Sequence, residues 1–268
     1  MKRVRYLPTL ILLPGLLSIL SGCAPSVYQL RPVSGDVALI EGRPVTKAEK
    51  DGIVVVASYE KVDMDYVVLD VEVKNKTEQA IDLNPADFSV YVLNRDKDTL
   101  TRPNTYQPYI RQAADPIYEA DVVARNQIRE EKRLKRARII NTVLLVAVIA
   151  SDVASTTSRK NQTFDQWATN RASHNAAYQA IQLKRMIDHG SFADKMQRYD
   201  YEAYRWKQLA LKPTTVPAGE SVRGFVYLPK TQEAAYLLLN YPTPSENDKV
   251  ALLFEQRQEK VTHKRRNR

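Results

Sequence analysis

Apolar and polar residues alternate along this chain with two different periods, and the change of period divides it. From Ile53 the period is two. "YVVLDVEV" sets Val67, Leu69, Val71 and Val73 on one face and Tyr66, Val68, Asp70 and Glu72 on the other, and "FSVYVL" aligns Phe88, Val90 and Val92. "IVVVASY" (53–59) is short and β-branched, and Asn75-Lys76-Thr77 supplies a turn. Runs of this kind, bounded by polar turn residues, predict half-buried strands. The texture returns after residue 213. A turn at Pro217-Ala218-Gly219 precedes Val222, Gly224, Val226 and Leu228 on one face, and "AYLLLN" and "VALLF" follow. Neither block alone has strands enough to cover two sheets. Segments 52–102 and 213–256 together predict one antiparallel β-sandwich of six to seven strands, of about the size of an immunoglobulin-type domain. The chain is therefore expected to be α+β, a sandwich interrupted by a large helical insertion.

The insertion, 103–212, changes the period. Glycine is absent from Ile53 to His189 and proline from Ile117 to Lys212, and the segment is polar and alanine-rich, which predicts helix. Phe192, Met196, Tyr199, Ala203, Trp206 and Ala210 repeat at helical spacing, as do Ala176, Ala180, Leu183 and Ile187. Gly190 is expected to cap the second of these stripes, so that the two form an antiparallel pair across His189-Gly190-Ser191. Ahead of them lies "RIINTVLLVAVIASD" (138–152). Ile139, Ile140, Val143, Leu144, Leu145, Val146, Val148 and Ile149 make it apolar nearly all round. The run from Ala137 to Ala150 is shorter than the roughly 20 residues of a membrane span. A span would also place the two halves of the sandwich on opposite sides of a membrane. The expectation is a helix buried against the stripes at 176–187 and 192–210, with docking to a protein partner or pairing of copies as the alternative. A membrane-inserted helix at 138–154, in a subunit of an envelope or secretion assembly, is a further alternative.

The N-terminus bears on compartment. Lys2, Arg3 and Arg5 precede an apolar stretch, the layout of a signal peptide, here 1–22. It ends in "LSGC", and Leu20, Ser21, Gly22 and Cys23 resemble the lipobox of bacterial lipoproteins. That resemblance implies that Cys23 becomes the first mature residue, carrying a thioether-linked diacylglycerol and a further acyl chain such as palmitate. Two or three chains, at about 0.8 kcal/mol per buried methylene, make a stable anchor. Ala24 in the next position implies the outer membrane of a Gram-negative cell. Residues 23–51, with prolines at 25, 32 and 44, then read as the lipidated cysteine and its tether. "VKNKTEQAIDLNPADFSVYV" and "VPAGESVRGFVYLP" are similar to the Ig-like sandwich of secreted bacterial lipoproteins. The resemblance covers those two segments and the lipobox, and the chain lacks the Cys…Trp…Cys core of antibody domains. Such folds host many functions, so the implied fold says little about activity.

Charge and chemistry add modest constraints. The formal net charge of +9 falls to +6 without the three basic residues of the signal, and to +2 without Lys264, Arg265, Arg266 and Arg268. Residues 257–268 read as a basic disordered tail, able to meet anionic lipid or an anionic envelope polymer. Nucleic acid is not an expected partner for an exported chain. With Cys23 acylated no cysteine remains for a disulfide or a thiol nucleophile. His174, His189 and His263 form no metal-ligand spacing, so no metal or cofactor is expected. "GESVRG" lacks the spacing of a nucleophile elbow, and "EKVDMDY" lacks the pattern of a calcium loop. The reading is of a non-enzymatic binding or structural module. Its rival is a cell-wall carbohydrate-binding protein or hydrolase using Asp194, Asp200 and Glu202. Tyrosine is abundant, 15 against five phenylalanines, and Arg198, Tyr201, Tyr204 and Arg205 form a candidate interaction surface.

Overall fold

The computed structural model describes residues 26–102, 104–157, 163–245 and 248–260. The segment read as a signal peptide, with Leu20, Ser21, Gly22 and Cys23, and the residues beyond Lys260 lie outside the described residues. The chain is mixed α+β, with antiparallel sheets and two long helices. One five-stranded sheet has the order β1 (Ser26–Pro32), β12 (Lys249–Lys260), β11 (Tyr236–Pro242), β7 (Ser89–Leu93), β8 (Ile110–Gln112). The other runs β10 (Ser221–Pro229), β5 (Tyr66–Asn75), β4 (Ile53–Asp63), β3 (Arg43–Lys50), β2 (Asp36–Ile40). A short pair, β6 (Ile81–Leu83) and β9 (Thr214–Val216), completes the β structure among the described residues.

The period-two faces behave as the pattern dictates. Val67, Leu69, Val71 and Val73 of β5 are buried together with Phe88, Val90 and Val92 beside and within β7, and with Leu239, Leu252 and Phe254 of the first sheet. Both sheets therefore contribute to a single core. The two separated segments also pair directly: Val71 lies opposite Gly224 between β5 and β10, and Val90 opposite Leu239 between β7 and β11. The two segments thus close into one body, with the insertion between them.

Asn75 pins one end of that body. Its side chain is fully buried, donates to the carbonyls of Gln79 (2.7 Å) and Val216 (3.0 Å), and accepts from the Thr77 amide (2.9 Å) and hydroxyl (2.6 Å). The Asn-Lys-Thr turn is thereby tied to β9, and the Gly219 amide returns the contact by donating to the Asn75 carbonyl at 2.8 Å. Gly224 has a different reason to lack a side chain. A Cβ there would lie 2.8 Å from the Leu211 Cα, where the chain leaving the helices crosses β10.

Three expectations need correction. Residues 26–50 form β1, β2 and β3 and not a tether; β1 pairs with β12 along its whole length. Their prolines are tolerated because Pro32 ends a strand and Pro44 lies near the start of β3 beside the edge strand β2. β12 runs on to Lys260, so the first residues of the supposed tail are also strand. Gly190 caps nothing: one helix, α2, continues from Phe164 to Tyr204 straight through it. The helical pair is instead α1 (Pro116–Thr157) against α2, two helices of 42 and 41 residues, each about 60 Å long.

Candidate functional site

The hairpin of α1 and α2 grows from one strand. The Ala114 amide donates to the Tyr227 carbonyl of β10 at 2.9 Å, and the Leu211 amide donates to the Phe225 carbonyl at 2.9 Å. The chain thus leaves and re-enters the body two residues apart on β10. Asp115 caps the departing helix, accepting from the amides of Ile117 (2.8 Å) and Tyr118 (3.3 Å). Thr163 and Gln166 form a reciprocal capping box that starts α2.

At the base a second buried cluster unites Val68 and Tyr227 of the sheet with Val123 of α1, and with Trp206 and Ala210 where α2 gives way to a π-helical turn (Arg205–Leu209). Arg205 lies here. It is 2% exposed, with its guanidinium over the rings of Trp206 (4.7 Å), Tyr66 (5.4 Å), Tyr227 (5.7 Å) and Tyr201 (5.9 Å). Its Nη1 pairs with buried Asp63 at 3.4 Å, and the Tyr201 hydroxyl donates to the same carboxylate at 2.9 Å. Burial pushes the phenols of Tyr66 and Tyr227 above the ordinary tyrosine range. It also raises the Glu119 carboxyl, an effect that nearby Arg205 opposes.

The candidate interaction surface is accordingly split. Arg205 is interior, and Tyr201 is tied to Asp63, while Arg198 pairs with Glu202 at 2.9 Å and Tyr204 is 53% exposed. Of the four, Tyr201 and Arg205 join the hairpin to the sheets, through Asp63 of β4. The three carboxylates of the hydrolase alternative do not converge: Asp194 is exposed, Asp200 accepts from Gln127 at 3.1 Å, and Glu202 is held by Arg198. A cleft of about 320 Å³ lies on the sheets, lined by Ile53, Ile81, Asp82, Asp87, Tyr241 and Pro244. Burial raises the Asp87 carboxyl, and lifts Tyr241 to about 12. Asp82 is engaged by the Thr215 hydroxyl at 2.8 Å. Among the described residues no cluster of three metal-ligating side chains occurs.

Beyond its base the hairpin is held by a seam that is only partly apolar. Leu134, Asn141 and Ile181 are buried in it. Lys195 pairs with Glu130 at 2.7 Å, the Asn141 amide donates to Asp188 at 3.0 Å, and Lys184 donates to Asp188 at 2.7 Å. A buried seam asparagine of this kind fixes helix register at some cost in stability. Hydrogen bonds from Lys184 and Asn141 hold the Asp188 carboxyl below its ordinary range.

The apolar stretch of α1 is not buried. Ile139, Ile140, Val143, Leu144, Val146 and Ile149 are 41–65% exposed, and of the eight residues named from sequence only Leu145 and Val148 turn partly into the seam. Its most apolar window is long and apolar enough to cross a membrane by length and composition, with mean hydropathy 1.8, and is 6% buried. Of the two stripes expected to cover it, Ala176, Ala180, Leu183 and Ile187 are themselves exposed, and Tyr199, Ala203, Trp206 and Ala210 of the other pack in the cluster at the base. The seam is made instead by His174, Ala177, Ile181, Lys184 and Asp188, a row at the same spacing that polarity concealed.

No family model, curated protein or solved structure matches the chain.

Proposed function

We propose that this chain is a lipid-anchored cell-envelope module, most simply of an outer membrane, whose two sheets form an Ig-like sandwich and hold the helical hairpin out as a docking arm. The supporting observation is the contrast between the two halves. Outside the edge strand β2, whose Val37, Leu39 and Ile40 are exposed, the sheets bury most of their large aliphatic residues, whereas α1 leaves a continuous apolar run uncovered along an arm of about 60 Å. Monomers rarely leave patches larger than a few hundred Å² exposed unless something covers them. The anchor follows from the lipobox resemblance at Leu20, Ser21, Gly22 and Cys23. The reading assigns no reaction to the chain.

Membrane insertion of 138–154 is the second reading, favoured by the hydropathy of α1. Against it stands α2, which runs alongside and would bring Lys184, Arg185 and Asp188 into the hydrocarbon. One experiment addresses both halves of the proposal. Cells producing wild-type protein or Cys23→Ser are fractionated after labelling with a fatty acid, and a photoreactive amino acid is placed at Val143. The proposal expects labelled wild type in the membrane fraction, unlabelled variant in the soluble exported fraction, and a protein adduct at Val143. Identical fractionation of the two forms would overturn the anchor. Adducts with lipid alone would overturn the arm in favour of insertion.

A further inference from the structure

We infer that the occupant of one side of the arm is a second copy of this chain, packed antiparallel to the first in a four-helix bundle. The inference rests on the docking-arm reading and specifies its partner.

An α-helix turns about 100° per residue, so the seam fixes where every other residue points. Two hydrogen bonds identify the sides of the hairpin. Arg133 on α1 donates to the Ser191 hydroxyl on α2 at 3.5 Å on one side, and Gln127 donates to Asp200 at 3.1 Å on the other. The row continuing from Arg133 along α1 holds Ile140, Leu144, Ala147 and Ser151. The row continuing from Ser191 along α2 holds Ile187, Leu183, Ala180 and Ala176. All eight are exposed. They therefore share one side of the hairpin, and none is charged. The opposite side carries Arg138, Thr142 and the exposed Ile149 of α1 with Gln182 and Arg185 of α2 by the same geometry, so it mixes charge with a single large apolar residue among those named.

The order of sizes along this side selects the partner. On both helices the large residues, Ile140 with Ile187 and Leu144 with Leu183, lie toward the sheets. The small residues, Ala147 with Ala180 and Ser151 with Ala176, lie toward the tip. A two-fold axis midway, across the helices, brings Ile140 onto Ser151 of the other copy, Leu144 onto Ala147, Ile187 onto Ala176 and Leu183 onto Ala180. Each large residue then meets a small one, as close packing of facing layers requires. An isologous pair needs just this self-complementarity of a single patch. The parallel alternative would set large against large at one end and leave a gap at the other. Antiparallel pairing also keeps the two basic stretches, Arg125 to Arg138, at opposite ends of the bundle. Eight side chains from each copy bury on the order of 1,000 Å² in total, about what a specific interface requires.

The test uses the full chain. A photoreactive amino acid at Ala147 is expected to yield an adduct of twice the chain mass. After trypsin, its crosslink should join the 139–159 peptides of the two copies. The same probe at Thr142, on the other side, is expected to give no such adduct. In detergent, sedimentation equilibrium should find a dimer for wild type and a monomer for Leu144→Asp combined with Leu183→Asp. Both side chains are exposed in one copy, so the helical circular dichroism of that variant should be unchanged. A crosslink from Ala147 to the 172–184 peptide would overturn the antiparallel arrangement. A monomeric wild type, or an adduct at Ala147 with lipid or with a different protein, would overturn self-pairing. An adduct with a different protein would still leave the docking-arm reading intact.

Discussion

Arg205 shows how little of a residue's setting its neighbours in sequence reveal. "RYDYEAYRW" has the tyrosine and arginine content of a binding hot spot, and the structure uses the same content to enclose a charge. Its neighbour Trp206 was legible as interior from the helical spacing of Tyr199, Ala203, Trp206 and Ala210. Arg205 was not, because the groups that enclose it, Asp63, Tyr66 and Tyr227, come from strands distant in sequence. A buried ion pair is costly to break on one side, because the remaining charge is left without compensation. Asp63→Ala should therefore lower unfolding free energy by about 3–5 kcal/mol in urea denaturation. Asp63→Leu combined with Arg205→Met should cost much less, since an apolar pair of similar bulk leaves no orphaned charge. Equal losses in the two variants would mean that the pair is not what holds this joint.

At the scale of elements, strands were legible and helix faces were not. A strand offers two faces, and Val67, Leu69, Val71 and Val73 declare theirs by alternation alone. A helix offers a continuum, and α2 carries two rows at the same spacing. The more apolar, Ala176 to Ile187, reads as the contact row, yet the structure turns the more polar His174 to Asp188 inward. Polar bonds, above all those at Asp188, decide between the rows. That makes the hairpin sensitive to acid. Because Asp188 is held below its unfolded range, its contribution is present above the ordinary carboxylate range and is lost as pH falls through the depressed folded value. The helical circular dichroism of wild type should weaken on acidification through that window, and Asp188→Asn should show a smaller pH dependence with weaker helix at neutral pH. Identical pH profiles for the two would remove Asp188 from the account.

For the whole molecule, the interrupted two-sheet plan was readable because each segment lacked strands enough to bury its own faces. The part assigned to a tether was missed because prolines at 32 and 44 obscured two short runs, "YQL" and "DVALI", that pair as strands. The same plan predicts that the body is separable from its arm. Ala114 and Leu211 are bonded to carbonyls only two residues apart on β10, roughly 7 Å along a strand. Joining them by a short Gly/Ser linker should leave a folded two-sheet protein with its β-type circular dichroism intact. Its stability should fall by about 2–4 kcal/mol, because Val68 and Tyr227 lose the cover of Val123 and Trp206. Loss of cooperative unfolding in this deletion would show that the sheets cannot stand without the helices.

That narrow attachment has a mechanical corollary. Two helices some 60 Å long meet the sheets through a handful of residues around one strand, so they act as a lever whose fulcrum is the Arg205–Trp206 joint. A tilt of about five degrees there sweeps the far end through roughly 5 Å, the rise of a full helical turn. Whatever seizes the far end can thus wrench β10, and with it its neighbour β5, from about 60 Å away.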